Sequence, residues 1–126
     1  MEKVSLEVTT ASEAAQAMTA AGLSDTHGQF TPESIASSGQ AFKLTTAGGT
    51  GVFVAEKRGN HLWIHGAAGV KTSGLTADGL GVIEALARES GAEFVAFETK
   101  RPGLTRQAKK AGYSVNAVIM TKKVTP

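Results

Sequence analysis

The stretch KTSGLTADGLGVIEALARESGAEFVAFETKRPGLTRQAKKAGY, from Lys71 to Tyr113, decides the reading of the fold. From about Leu75 to Ser90 its apolar residues recur at helical spacing. Leu80, Ile83 and Ala87 share one face, Leu75, Val82 and Leu86 flank it, and Gly91 supplies the stop. FVAFET, residues 94–99, is a short apolar run of strand type. RPGLTRQAKKAG then reads as a second helix, with Pro102 near its start and Gly112 past its end. A strand reached through a helix is a crossover connection, so FVAFET should pair in parallel with the strand before the first helix.

That preceding strand belongs to a run of three. QAFKLTT, GVFVAEK and HLWIHG are separated by AGGTG and RGN, both hairpin-type turns, and predict an antiparallel meander. Further upstream, VSLEVT sets Val4, Leu6 and Val8 against Ser5, Glu7 and Thr9, the period of a half-buried strand. Ser12 is positioned to cap an Ala-rich helix that stops at Gly22. Thr31 followed by Pro32 starts a short helix ending near Gly39. Downstream, YSVNAVIMTKK predicts a closing strand, or two short ones around Asn116-Ala117. Its exposed edge would leave room for a homo-oligomer.

Composition narrows the class. With 126 residues, 15 glycines and no cysteine, the chain is read as one α/β domain over 1–126, without disulfides, thiolate metal sites or a Cys nucleophile. Aromatic content is only 6%, while small residues are abundant and let backbone approach backbone or ligand closely. Charge is unevenly spread. Residues 1–63 carry four Lys/Arg against six Asp/Glu, and residues 64–126 carry nine against five. No acidic residue follows Glu98, which suits an anionic partner such as a phosphorylated cofactor. Nucleic acid is disfavoured because no aromatics interleave the basic run. A signal peptide and an apolar run long enough to span a bilayer are both missing, which predicts a cytoplasmic protein without a membrane partner.

The element order, with the segment 71–113 at its centre, resembles the GNAT family of N-acetyltransferases over nearly the whole chain. The resemblance implies an α/β fold with a mixed central sheet and flanking helices, and a V-shaped gap between the fourth and fifth strands for acetyl-CoA. Members of the family hold the cofactor's pyrophosphate in a loop of Gln or Arg, two variable residues, Gly, one variable residue, then Gly or Ala. Lys71-Thr72-Ser73-Gly74-Leu75-Thr76 matches with one glycine, Lys in place of Gln/Arg and Thr in place of the last Gly/Ala. A competing register uses Gly79 and Gly81 but would shorten the helix by nearly two turns. FVAFET and the Gly112-Tyr113 ending resemble the family's fifth strand and its Gly-aromatic motif. The chain's compactness also resembles the short GNAT-like proteins of phage and prophage sequences.

Independently of any family, free N–H groups at a helix N-terminus behind small residues form an anion site, and Lys71 would add a charge. Gly66, Ala67 and Ala68 could leave backbone groups open to a pantetheine-like arm. The cofactor residues expected are therefore Gly66, Ala67, Ala68, Lys71, Ser73, Gly74, Leu75 and Thr76, with acetyl-CoA as cofactor. Against this, Thr76 as N-cap with Asp78 behind it is also what a helix start without a ligand would choose.

For chemistry, the resemblance implies attack of an amine on a thioester, with a base and an acid. The family's usual acid, a Tyr four residues before the Gly-aromatic pair, is here Ala108. Tyr113, the single tyrosine, reads as a packing residue. HLWIHG holds no carboxylate, so His65 is the candidate base, with His61 and Trp63 on its face and Glu56 on the next strand as second candidate. His27, His61 and His65 make no zinc constellation, and no metal is expected. Two functions follow: a small acetyl-CoA-dependent N-acyltransferase acting on a small-molecule or peptide amine, or a catalytically silent GNAT-like module. The second would bind other protein subunits, as in a phage structural or virion-associated protein.

Overall fold

The computed structural model describes residues 4–21, 31–47, 49–69, 75–99 and 102–124, with backbone only for 75 and 76. Nine elements follow in order: β1 (Ser5–Val8), α1 (Ala11–Ala20), α2 (Pro32–Ala36), β2 (Gln40–Thr46), β3 (Gly49–Arg58), β4 (His61–Gly69), α3 (Leu75–Glu89), β5 (Phe94–Ala96) and α4 (Pro102–Lys110). The strands lie in the sheet in chain order, β1-β2-β3-β4-β5. All neighbours are antiparallel except β4 and β5, which pair in parallel as the crossover through α3 requires. The sheet is mixed and carries helices on both faces.

One face holds Ala14, Ala15 and Met18 of α1 and Ile35 and Ala36 of α2 against Ala41, Val52 and Val54. The other packs Ile83 and Ala87 of α3 against Phe53, Ala55 and Leu62. Leu80, Ile83 and Ala87, the predicted face of α3, are all buried. Both α3 and α4 end in the same double hydrogen bond behind a glycine. Gly91 (φ +81°) donates to Arg88 O and Ala92 to Ala87 O, while Gly112 (φ +98°) donates to Lys109 O and Tyr113 to Ala108 O. The two-residue turn Gly59-Asn60, with Gly59 at φ +57°, closes the β3–β4 hairpin. Asn60 O also accepts from Glu93 and Phe94, which ties the start of β5 to that turn.

Several expectations are corrected. The cap of α1 is Thr10, whose hydroxyl accepts from Glu13 N, so Ser12 lies inside the helix. The helix ends at Ala20, and Gly22 lies outside the described residues. Thr31 and Pro32 do start α2, but it closes at Ala36, before Gly39. Val4, just before β1, and Val8 at its end are exposed, and of the three alternating residues only Leu6 packs on the core. The closing strand does not form. Residues 113–124 have no strand assignment, and Val115, Val118, Ile119 and Met120 are exposed. Strand-like sequence becomes strand only where a neighbour supplies the ladder, and β5 is the last strand of the sheet.

Candidate functional site

β4 is the strand on which the predicted site residues gather, and its pairing changes halfway along. Toward β3 the register runs Glu56↔Trp63 and Ala55↔Ile64, then slips to Val54↔Gly66. His65 is the extra residue, so the strand carries a bulge there. The slip leaves His65 and Gly66 on the same side of the sheet: His65 reaches Glu56, and Gly66 faces α1 and α2. Toward β5 the pairing covers His61, Leu62 and Trp63 only, against Phe94, Val95 and Ala96. β4 nevertheless continues to Gly69. Among the described residues, therefore, the β5-side edge of β4 beyond Trp63 has no strand partner. Bulge and parting coincide at one place.

The open stretch is Gly66-Ala67-Ala68-Gly69. The structure makes it part of β4, although Gly and Ala are poor strand formers, because β3 lies alongside to pair with it. Gly66 owes its identity to packing: a Cβ there would stand 2.6 Å from Ile35 Cγ2 and 3.1 Å from Met18 Cε. Its backbone remains at the open edge all the same. Lys71, Ser73 and Gly74 lie outside the described residues, and for Leu75 and Thr76 only the helical backbone is described. α3 begins at Leu75, so Thr76 falls within its first turn along with Asp78. A Cβ on Gly81 would touch nothing within 4 Å, so tight packing of α3 does not require that glycine.

His65 and Glu56, singled out separately in the sequence, are brought together. His65 Nε2 lies 2.9 Å from Glu56 Oε1, and Arg58 Nε donates to the same oxygen at 2.8 Å. Hydrogen bonds from His65 and then Arg58, together with Arg58's charge, hold the Glu56 carboxyl below its ordinary range. An ionised carboxylate only accepts, so Nε2 donates to it, and in the neutral imidazole Nδ1 is then the nitrogen with the lone pair. The arrangement is an imidazole oriented by a carboxylate, with its basic nitrogen directed away from that carboxylate. The His65 side chain remains 22% exposed, enough for a ligand to reach it. Glu56, held ionised, is a poor proton acceptor and a good anchor.

Beside this pair lies a row of rings. His61 stacks on Trp63, with centroids 6.1 Å apart and planes at 22°, and on Phe94 at 4.9 Å and 21°. The sequence placed His61 and Trp63 together by alternation. It could not show that Phe94 joins them, because that needs the parallel register His61↔Phe94.

Behind the rings opens a groove of about 970 Å³ whose walls include Trp63, Phe94, Ala108 and Tyr113. Ala108 is buried and cannot give up a proton. Tyr113 packs its ring on Phe97, with centroids 5.6 Å apart, as a packing residue would. Its hydroxyl, however, is buried without a hydrogen-bond partner among the described residues. Burial, reinforced by the charge of Glu84, pushes its pKa up to about 12. No group of three or more potential metal ligands occurs among the described residues. No described helix is long and apolar enough to cross a membrane.

No protein-family model matches this sequence, and no curated protein matches it significantly. Solved structures do match. A Pyrococcus furiosus protein assigned as an acetyl transferase superposes with a TM-score of 0.67 at 17% identity, covering 97% of this chain and all of the other. The Trypanosoma brucei acetyltransferase gives 0.60 at 11% identity, covering 97% of this chain and 100% of its own. AAC(6')-Iy, solved in complex with a bisubstrate analogue, CoA-S-monomethyl-acetylneamine, gives 0.57 at 10% identity, covering 98% of this chain and 99% of its own. At these identities the likeness is one of fold, and the fold is the GNAT-like acetyltransferase fold.

Proposed function

We propose that the chain is an N-acetyltransferase that binds acetyl-CoA along the open edge of β4 and places an amine beside His65. The observation that carries this reading is the parting of β4 from β5 after Trp63, where four small residues of the strand have, among the described residues, no strand partner on one side. An extended amide-bearing arm can pair with such an edge as a strand would. The residues present fit the group. Gly66, Ala67, Ala68 and Gly69 offer backbone without bulk, and the N–H groups at the start of α3 lie a short connection further on. In the sequence that connection holds Lys71, Ser73 and Gly74. Asp78, in the first turn of α3, opposes an anion there, so the diphosphate of the cofactor should be the weaker half of the contact.

Bound acetyl-CoA supplies the acyl group as a thioester. Glu56 accepts a hydrogen bond from His65 Nε2 and fixes the ring, Arg58 keeps Glu56 ionised, and His65 Nδ1 takes the proton of the acceptor amine. Ala108, where the resemblance would put a tyrosine acid, contributes only a methyl group, so the thiolate released as the C–S bond breaks would take its proton from solvent.

Thermal-shift titration with acetyl-CoA tests the reading. Stabilisation should grow with ligand concentration, because a ligand that binds only the folded state adds RT ln(1 + [L]/Kd). Gly74→Glu should remove the shift while the unliganded melting temperature stays the same. Absence of any shift at millimolar acetyl-CoA would leave the silent assembly module as the better reading.

A further inference from the structure

The segment after α4 takes no part in the chemistry above, yet it carries most of the apolar surface that the chain leaves in water. We infer that residues 113–124 of one copy add as a strand to the free edge of β5 in a second copy, and reciprocally, so that the chain is a two-fold dimer. This holds whether or not the site transfers acetyl groups.

The backbone of the segment is unpaired. Tyr113 N donates to Ala108 O, and from Ser114 to Val124 no further backbone hydrogen bond forms among the described residues. Its side chains are unburied as well. Val115, Val118, Met120 and Val124 are 66%, 79%, 89% and 84% exposed, and Ile119 is 51% exposed. Ala117-Val118-Ile119-Met120 is an unbroken apolar run, the pattern of a strand covered on both faces. A lone chain that shows such a run to water lacks the element that covers it.

The seat for a strand lies beside it. β5 is the last strand of the sheet, with a neighbour in β4 alone among the described residues. Val95, Ala96 and Phe97 line the groove of about 970 Å³, and so do Val115, Ala117 and Ile119. The segment thus stands next to the open edge of its own sheet without forming a ladder on it. The exposed ring of Phe94 faces the same groove.

What completes that edge is an extended, mainly apolar chain. The molecule itself supplies one, and reciprocal exchange uses each copy's edge and each copy's segment once, which closes the assembly at two. Charge agrees with this occupant. Among the described residues the groove is lined by Glu84, Glu93 and Glu98 against Arg88 and Lys109, with His61 beside them. The incoming segment carries Lys122 and Lys123 and no acid. A second copy brings cations to a groove with more carboxylates than cations, whereas an anionic membrane surface would meet those carboxylates.

Sedimentation equilibrium of the full chain at micromolar concentration should give twice the mass of one chain. Ile119→Asp, at a position exposed in the single chain, should raise the dissociation constant roughly ten-fold or more, with the far-UV circular dichroism of the wild type kept. Ala117→Pro and Val118→Pro distinguish a ladder from loose apolar adhesion. Successive N–H groups of a strand point to opposite sides, so at least one of the two prolines removes a ladder donor and should weaken the dimer to a similar degree. A monomer throughout the micromolar range would overturn the inference. So would a dimer indifferent to Ile119→Asp or to both prolines, or a monomer that sediments with phosphatidylserine vesicles, which would give the patch to a membrane surface instead.

Discussion

β4 is two strands in one. From His61 to Trp63 it has a neighbour on each side, bulky rings and a buried Leu62. From Gly66 to Gly69 it has β3 on one side, no strand on the other among the described residues, and no side chain larger than a methyl group. The change falls at His65, where one inserted residue shifts the register. A fully paired strand is a structural element; a half-paired one leaves backbone open on one side, and the price of that edge is borne by the packing around it. Met18 and Ile35 close over Gly66 so tightly that the open half is supported from beneath by α1 and α2.

The largest predicted effect is on turnover, at the junction of the two halves. His65→Ala should lower the acetylation rate by roughly 10²–10⁴-fold, the usual contribution of a positioned base, while the acetyl-CoA thermal shift stays the same. Unchanged turnover would take His65 out of the chemistry. Next come the supports of the open half. Met18 is fully buried, and Met18→Ala should cost about 2–5 kcal/mol in urea unfolding. Gly66→Ala, which drives a methyl into Ile35 and Met18, should cost about 1–3 kcal/mol. If Gly66→Ala were neutral, the seat of α1 and α2 on β4 would be looser than described.

Tyr113→Phe acts on the groove behind the paired half. It removes a buried hydroxyl that has no partner among the described residues, so stability should rise by about 1 kcal/mol. A fall would mean that the hydroxyl is bonded in solution. The smallest effect is electrostatic. Glu56's carboxyl is held below the ordinary carboxylate range, so its contribution is complete above that range and is lost as pH falls through the lowered pKa. Urea midpoints measured between pH 7 and pH 3 should therefore converge for the wild type and Glu56→Gln as acid is added. A constant gap between them would contradict the His65–Glu56–Arg58 contact.

Legibility in the sequence followed the range of the interaction. Thr31-Pro32, Gly91, Gly112 and the turn at Gly59 are local signals, satisfied by backbone bonds within a few residues, and each marks its element. The face of α3 was equally plain, because burial at helical spacing writes itself into the apolar pattern. Thr10 and Ser12 are both residues that cap helices, and composition could not choose between positions two apart. What escaped were features that need a partner from elsewhere. YSVNAVIMTKK has the alternation of a strand but pairs with nothing in the sheet, while Gly66–Gly69 has poor strand propensity and pairs because β3 is there. His65 and Glu56 were both candidates, yet their contact depends on a bulge that no count along HLWIHG reveals. Phe94 was hidden for the same reason, since only the parallel register sets it against His61.

Amide hydrogen exchange along β4, with and without saturating acetyl-CoA, tests the central claim most directly. The account predicts that outward-facing amides between Gly66 and Gly69 gain protection on binding, while those of His61 to Trp63, already paired on both sides, do not change. Acetyl-CoA binding that leaves Gly66–Gly69 unprotected would contradict it.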